Sequence, residues 1–281
     1  MKKLVALFLL GSTLLVHSAL AQKNAPIQIA SYNLRFNNPS DGPNAWPNRK
    51  EMVKKLIQYH GFEIFGTQEA LRGQLNDIAE LKEFAFLGKG RDDGKEGGEH
   101  SAIFYKKDRF EVLQSGDFWL SETPDKPGKG WDVTCCNRIC SWAKFRDKTT
   151  KKEFFFFSAH FDHQAVVARR ESGKLMVQKI KEIAKNEPVI FVGDLNSTPE
   201  TEQVKTIQTL LSDSYAITTM KPYGPVGTFS AFKMDAPMDN RIDYVFVSKR
   251  FKVNKYGVLT DQEDHRFPSD HFPVVVEAVL E

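Results

Sequence analysis

The stretch Pro188-Val189-Ile190-Phe191-Val192-Gly193-Asp194-Leu195-Asn196-Ser197-Thr198-Pro199 decides how the chain folds. Residues 189–192 are apolar without polar alternation, the pattern of a strand buried on both faces. Gly193 to Asn196 then reads as a turn. Ser197-Thr198-Pro199 is a helix-start signal, which predicts a helix over Glu200 to Leu211. The unit is therefore strand, turn, helix, with a carboxylate and an amide just past the strand.

The same grammar recurs outward from that stretch. Apolar runs Ile27–Tyr32, Phe62–Gly66, Ala102–Tyr105, Phe154–Ala159, Tyr244–Val247 and Phe272–Val279 read as further strands. Helical patterns cover Pro47–His60, Leu71–Leu81 and Ala165–Lys185, and the segment between Phe84 and Phe157 is strand-rich. Strands interleaved with helices imply an α/β layered sandwich rather than an all-β barrel. No repeat, low-complexity tract or linker breaks the chain, so residues 22–281 read as one domain. Lys89–Glu99 and Ser121–Gly130, both rich in glycine or proline and charge, read as exposed mobile loops that could border a cleft.

Residues 1–21 carry Met1-Lys2-Lys3, an apolar stretch and a terminal Ala19-Leu20-Ala21, the form of a secretory signal peptide cut before Gln22. An exported protein, periplasmic or secreted, is the expectation, with no membrane span in the mature part. Losing Lys2 and Lys3 and no acid lowers the formal charge from +3 to +1. A balanced charge argues against an extended nucleic-acid groove, since each phosphate contact draws on a basic residue. The three cysteines, all within Cys135-Cys136-Asn137-Arg138-Ile139-Cys140, lack a fourth ligand at zinc spacing. They read as buried residues or one local, dispensable disulfide, with metal or redox function as the alternative.

Polar residues that stand just past the apolar runs carry the chemistry. Asn33, Glu69, His160 and Asp194 follow strands, where ligand sites of α/β sheets commonly form. Asn196, Asp243, Asp270 and His271 complete the set. Oxygen donors and histidines without cysteine suit a hard divalent cation, Mg²⁺ or Mn²⁺, beside a phosphate. Glu69 reads as a metal ligand or as a charge near a helix start. Asp194 reads as a general base on water, and Asn196 as a hydrogen-bonding partner of that water or of a phosphate oxygen; an Asx turn is the structural alternative. In His160-Phe161-Asp162-His163, His160 is the candidate to neutralise phosphate charge, Asp162 to orient it, and His163 to touch substrate or face water. Asp243 and His271 are a plausible dyad. Arg35 and Phe232 are candidate substrate contacts, Phe232 for stacking on a base or sugar.

The ordered motifs SYNLR, QE, HFDH, GDLNSTP, IDYVFV and SDHFPV resemble those of the endonuclease/exonuclease/phosphatase superfamily, in particular its exported bacterial branch. The resemblance spans Ser31 to Val274. It implies a four-layer α/β/β/α sandwich of two packed mixed sheets covered by helices, and hydrolysis of a phosphoester by activated water. It also implies Glu69 as the main Mg²⁺ ligand with Asn33 and Asp270 near the metal, Asp194 positioning and deprotonating water, and Asn196 binding the phosphate. His271 paired with Asp243, along with His160, would stabilise developing charge. Some nuclease branches use a mid-chain tyrosine for phosphate, and no equivalent is assignable here.

The expected activity is that of a metal-dependent phosphodiesterase or phosphatase, acting as a monomer on a small phosphoester, nucleotide or short oligonucleotide. The competing readings are an endo- or exonuclease on DNA or RNA, a sphingomyelinase-like lipid phosphodiesterase, and a non-enzymatic binding module of the same fold.

Overall fold

The computed structural model describes residues 24–281. The expected signal peptide, residues 1–21, lies outside the described residues. In chain order the strands are β1 (Ile27–Asn33), β2 (Ile64–Gln68), β3 (Phe84–Leu87), β4 (Ile103–Lys106), β5 (Phe110–Trp119), β6 (Ile139–Asp147), β7 (Glu153–His160), β8 (Val189–Asp194), β9 (Ser212–Asp213), β10 (Asp243–Val247), β11 (Phe251–Val258) and β12 (Val274–Leu280). The helices are α1 (Lys50–Tyr59), α2 (Arg72–Ile78), α3 (Val166–Ala184), α4 (Glu202–Gln208) and α5 (Ser214–Ile217).

Two 6-stranded mixed sheets form, in the orders β11-β12-β1-β2-β4-β3 and β5-β6-β7-β8-β10-β9. The run Phe154-Phe155-Phe156-Phe157 shows why its sequence lacks alternation. Phe154 and Phe156 point inward to a core shared with Ile29, Ile64 and Val274 of the first sheet. Phe155 and Phe157 point outward, under Leu175, Met176 and Ile180 of α3 and Val204 and Ile207 of α4. Successive strand residues face opposite sides, and both sides are covered. On the other flank Ala30, Phe65 and Phe104 pack under Val53 and Ile57 of α1 and Leu75 of α2. Helix, sheet, sheet, helix is the expected layering, and burying each of these large side chains stabilises it by about 1.5–3 kcal/mol.

The sheets approach closely at Gly66. A Cβ there would lie 2.4 Å from Val192 Cγ2 and 2.5 Å from Ser158 Oγ of the facing sheet. Among the described residues, no helix is long and apolar enough to cross a membrane.

Two local expectations change. The helix expected from Pro47 is a short 3₁₀ turn, Trp46–Asn48, followed by α1, and α4 is shorter than the periodicity suggested. Segment 89–99, read as an exposed mobile loop, folds back on itself. Asp93 Oδ1 accepts from the backbone N–H groups of Lys95 and Gly97, each at 2.8 Å, and Arg91 N donates to Glu99 O at 3.0 Å.

Candidate active site

Parallel pairing at the centre of each sheet brings strand ends together. In the first sheet Asn33 of β1 pairs with Gln68 of β2, which puts Glu69 one residue beyond that edge. In the second, His160 of β7 pairs with Asp194 of β8, and antiparallel β10 begins with Asp243 opposite Asp194. Because the sheets are stacked, both edges open into one cleft of about 290 Å³. Glu69, His160, Asp194, Asn196, Asp270 and His271 line it, together with Arg35, Arg91, Glu99, Cys136, Arg138, His163 and Phe229.

Asn33 links the two sheets. Its Nδ2 donates to Glu69 Oε1 at 3.2 Å and to Asp194 Oδ2 at 3.0 Å, while its Oδ1 accepts from Arg35 N at 2.9 Å. In this arrangement Asn33 orients the carboxylates and turns its amide nitrogen, not its oxygen, toward them. Glu69 Oε2 accepts from Phe36 N, and the Arg35 guanidinium sits 3.9 Å from both Glu69 Oε2 and Asp270 Oδ2 while pairing with Asp41 at 2.9 Å. Buried Arg49 donates to the carbonyl oxygens of Leu34, Arg35 and Pro268 and so ties the Asn33 and Asp270 loops together. Ser269 Oγ adds a 2.7 Å bond to Asn33 O.

Asp194 sits at the centre of the histidines, with Oδ2 3.4 Å from His160 Nε2 and 3.8 Å from His271 Nε2. Its other oxygen, Oδ1, accepts from Asn196 N at 2.9 Å, an Asx-type turn that fixes the amide of Asn196 beside it. Asn196 Nδ2 lies 3.1 Å from His160 Nε2 and donates to Phe161 O at 3.1 Å. His271 Nδ1 meets Asp243 Oδ2 at 2.9 Å, so the dyad read from the sequence forms. Thr228 Oγ1 accepts from the backbone N–H of Asp243, and Phe229 packs on the His271 ring with centroids 4.9 Å apart.

Burial sets the protonation states. It raises the Asp194 carboxyl, with Asp243 adding to the effect, to about 7. A carboxylate held there can take a proton from water near neutral pH. Burial, then the positive charge of Arg138 and Arg91, lowers His160 well below the usual imidazole range and keeps it neutral. For His271 burial acts the same way, but Asp243 and then Asp194 outweigh it and raise the imidazole well above that range. Asp270 is raised by burial, and the negative charge of Glu69 pushes it the same way.

The carboxylates Glu69 and Asp270 fit a hard divalent cation. Both are oxygen donors that line the cleft, with the Arg35 guanidinium 3.9 Å from each. Glu69, His160 and Asp194 also offer ligand atoms that all lie within 4.8 Å of one another, as do Asp194, Asp243 and His271. Arg35, Glu69 and Asn196 hold positive φ angles of 52°, 62° and 45°. Such backbone costs about 1–3 kcal/mol each and clusters at functional sites.

Two sequence readings are corrected by the geometry. Asp162 does not orient His160. It accepts from Gln164 N and Ala165 N ahead of α3, and its Oδ2 pairs with Arg138 Nε at 3.2 Å. Arg138 is the residue that touches the imidazoles, at 3.2 Å from His160 Nδ1 and 2.8 Å from His163 Nδ1. The strand ends at His160, so two-residue alternation no longer governs Asp162 and His163. Phe232 does not line the cleft: it packs against the inner core with Arg49 over its ring, and Phe229 takes the aromatic position. Arg91 and Glu99 were missed because their segment has the composition of a solvated loop. Burial raises Glu99 to about 7, despite the nearby Arg91.

Residues 30–271 match the Endonuclease/Exonuclease/phosphatase family. The chain belongs to this family. A family member from Bacteroides thetaiotaomicron is 44% identical, with 92% of this chain and 99% of that chain covered and a TM-score of 0.89. A mannosyl-6-phosphatase from B. thetaiotaomicron VPI-5482 is 46% identical, with 90% and 99% covered and a TM-score of 0.86. Nocturnin of Drosophila melanogaster is 27% identical over 220 residues, which take in 66% of this chain and 33% of Nocturnin. The chain spans between 30% and 59% of the length of the curated relatives it matches. Members of the family share the two-sheet sandwich and are phosphoester hydrolases.

Proposed function

We propose that this chain is an exported, Mg²⁺-dependent phosphatase that acts as a monomer on a compact phosphomonoester, in the sugar-phosphate class. The observation that carries the reading is the mixed lining of the cleft. Carboxylates Glu69 and Asp270 share a space of about 290 Å³ with Arg138, His160 and His163. Such a lining suits a doubly charged terminal phosphate, and the formal charge of +1 that remains without residues 1–21 offers little basic excess for gripping a long strand. The near-complete overlap with a mannosyl-6-phosphatase at 46% identity supports the same substrate class.

Within that reading each side chain has a separable task. Asp194 holds an attacking water and accepts its proton, its carboxyl poised by burial near neutrality. Asn196, fixed beside it, orients the water or a phosphate oxygen. His271, held by Asp243, and His160, held by Arg138, face the charge that develops on the phosphoryl oxygens. Glu69, oriented by Asn33 Nδ2, and Asp270 would hold a divalent cation, whose positive charge would polarise the phosphoryl group.

Export rests on the leader-like residues 1–21. It is tested by fractionating cells and sequencing the N-terminus, which should begin at Gln22. The activity is tested with the purified chain, Mg²⁺ and a panel of hexose 6-phosphates, nucleotides and phosphodiesters. Fastest turnover on a sugar phosphomonoester is expected; a preference for diesters would overturn the phosphatase assignment.

A further inference from the structure

Segment 130–138 runs along the lip of the cleft and is pinned at both ends. Near its start Asp132 accepts from Val167 N at 3.0 Å and Ala168 N at 2.7 Å, at the first turn of α3. Trp131, Val133, Ala165 and Ala168 form a small apolar cluster beneath it. At its end Arg138 is buried and grips His160, His163 and Asp162. Between the pins, Cys135 and Cys136 form a disulfide between neighbours. Cys136 lines the cleft, and Cys135, which is exposed, has Sγ 4.0 Å from the same Asp162 oxygen that accepts from Arg138.

A disulfide between adjacent residues closes a small ring through the peptide bond that joins them. The ring removes most rotational freedom from the backbone there, and Arg138 begins only two residues further on. Its guanidinium is the sole cation in contact with both His160 Nδ1 and His163 Nδ1 among the described residues. Any slack in the segment therefore reaches those imidazoles directly.

We propose that the Cys135–Cys136 disulfide is a positioning element for Arg138, and through it for the substrate phosphate. In the oxidised chain the ring holds the guanidinium in place. A dithiol reductant opens it: the reductant gives up two hydrogens and becomes an internal disulfide, and Cys135 and Cys136 each gain one. The freed segment then lets Arg138 leave its three partners, and phosphate binding weakens. An exported protein meets an oxidising environment, in which the closed ring is the working form. The effect on substrate rests on the phosphatase reading above; the effect on Arg138 does not.

The test uses the purified full chain, air-oxidised or treated with dithiothreitol. Maleimide labelling followed by mass measurement should find the pair unlabelled when oxidised and both members labelled after mild reduction, while buried Cys140 stays unlabelled in each. A freely labelled pair in the oxidised preparation would overturn the proposal. Calorimetric titration with inorganic phosphate in Mg²⁺ should show roughly tenfold weaker binding after reduction, the scale expected for directly coupled neighbours. The double variant Cys135→Ser/Cys136→Ser should bind like the reduced chain whether or not reductant is present. In Arg138→Ala, binding should be weak and indifferent to reduction. Equal affinity in both redox states, a redox response that persists in Arg138→Ala, or no phosphate binding at all would each overturn it. Redox-sensitive phosphate binding without turnover of any phosphomonoester would instead sink the phosphatase reading and leave the positioning role standing.

Discussion

His271 and Asp243 lie 28 residues apart in the chain and meet at 2.9 Å, with both side chains buried. The contact fixes which imidazole nitrogen faces the carboxylate, so Nε2 points toward Asp194 and the cleft. Asp243→Asn keeps the shape and loses the charge that stabilises a protonated imidazole. Turnover should fall by about 10²–10⁴, the range of a lost acid–base contribution, with little change in the melting curve. Asp194→Ala and His271→Ala should lower kcat by several orders of magnitude, again with folding preserved. Near-normal kcat in any of the three would refute that residue's assigned role.

Cation binding can be read without turnover. Mg²⁺ or Mn²⁺ should raise the melting temperature of the wild-type chain, since a ligand at about 100 times its Kd adds about 2.7 kcal/mol to the folded state. Glu69→Gln should abolish most of that rise. A rise of the same size in Glu69→Gln would place the cation elsewhere.

Asp162 gives stability an acid limb. Burial alone would raise its carboxyl, but the N–H groups of Ala165 and Gln164 and the charge of Arg138 outweigh it and hold the group below its ordinary value. The stability it contributes is therefore complete above its unfolded value of about 3.9 and is lost as pH falls through the lower folded value. Melting temperatures measured from pH 6 down to 2.5 should drop more steeply in wild type than in Asp162→Asn. Parallel curves would show that the carboxylate is not what the fold relies on.

Gly66→Ala tests how tightly the sheets meet. Its methyl group would collide with Val192 and Ser158 of the facing sheet, so the change should destabilise by about 1–3 kcal/mol, as overpacked cores do. Chemical denaturation measures it, and an unchanged midpoint would mean that the sheets can part at this point.

Phe229→Ala and Phe232→Ala separate a cleft residue from a core residue. The first should raise KM or lower kcat by about tenfold, because it frees the His271 ring. The second should act mainly on stability, leaving KM within about twofold of wild type. The reverse pattern, read from steady-state kinetics and melting curves, would restore Phe232 as the substrate contact.

The residues at the strand ends were legible because apolar runs mark where strands stop, and a parallel pair must place its C-terminal ends side by side. Asn33, Glu69, His160 and Asp194 could be assigned to strand C-terminal ends without knowing which strands paired, but the sequence did not show that the first two belong to one sheet and the last two to the other. Arg91 and Glu99 were not legible, since a glycine-rich charged segment looks the same whether it is solvated or folded back. Asp162 was misread because alternation holds only inside a strand, and β7 ends at His160.

The sequence by itself determined the layered α/β class, the ordered motifs of the family and the residue types of a phosphoester site. Tertiary structure alone decided that Arg138 rather than Asp162 holds His160, that Phe229 rather than Phe232 faces the cleft, and that the cysteine pair borders it. The physical reason is one of range. Periodicity and turn chemistry act over a few residues, whereas a cleft is assembled from segments that only the stacking of two sheets brings within hydrogen-bond distance.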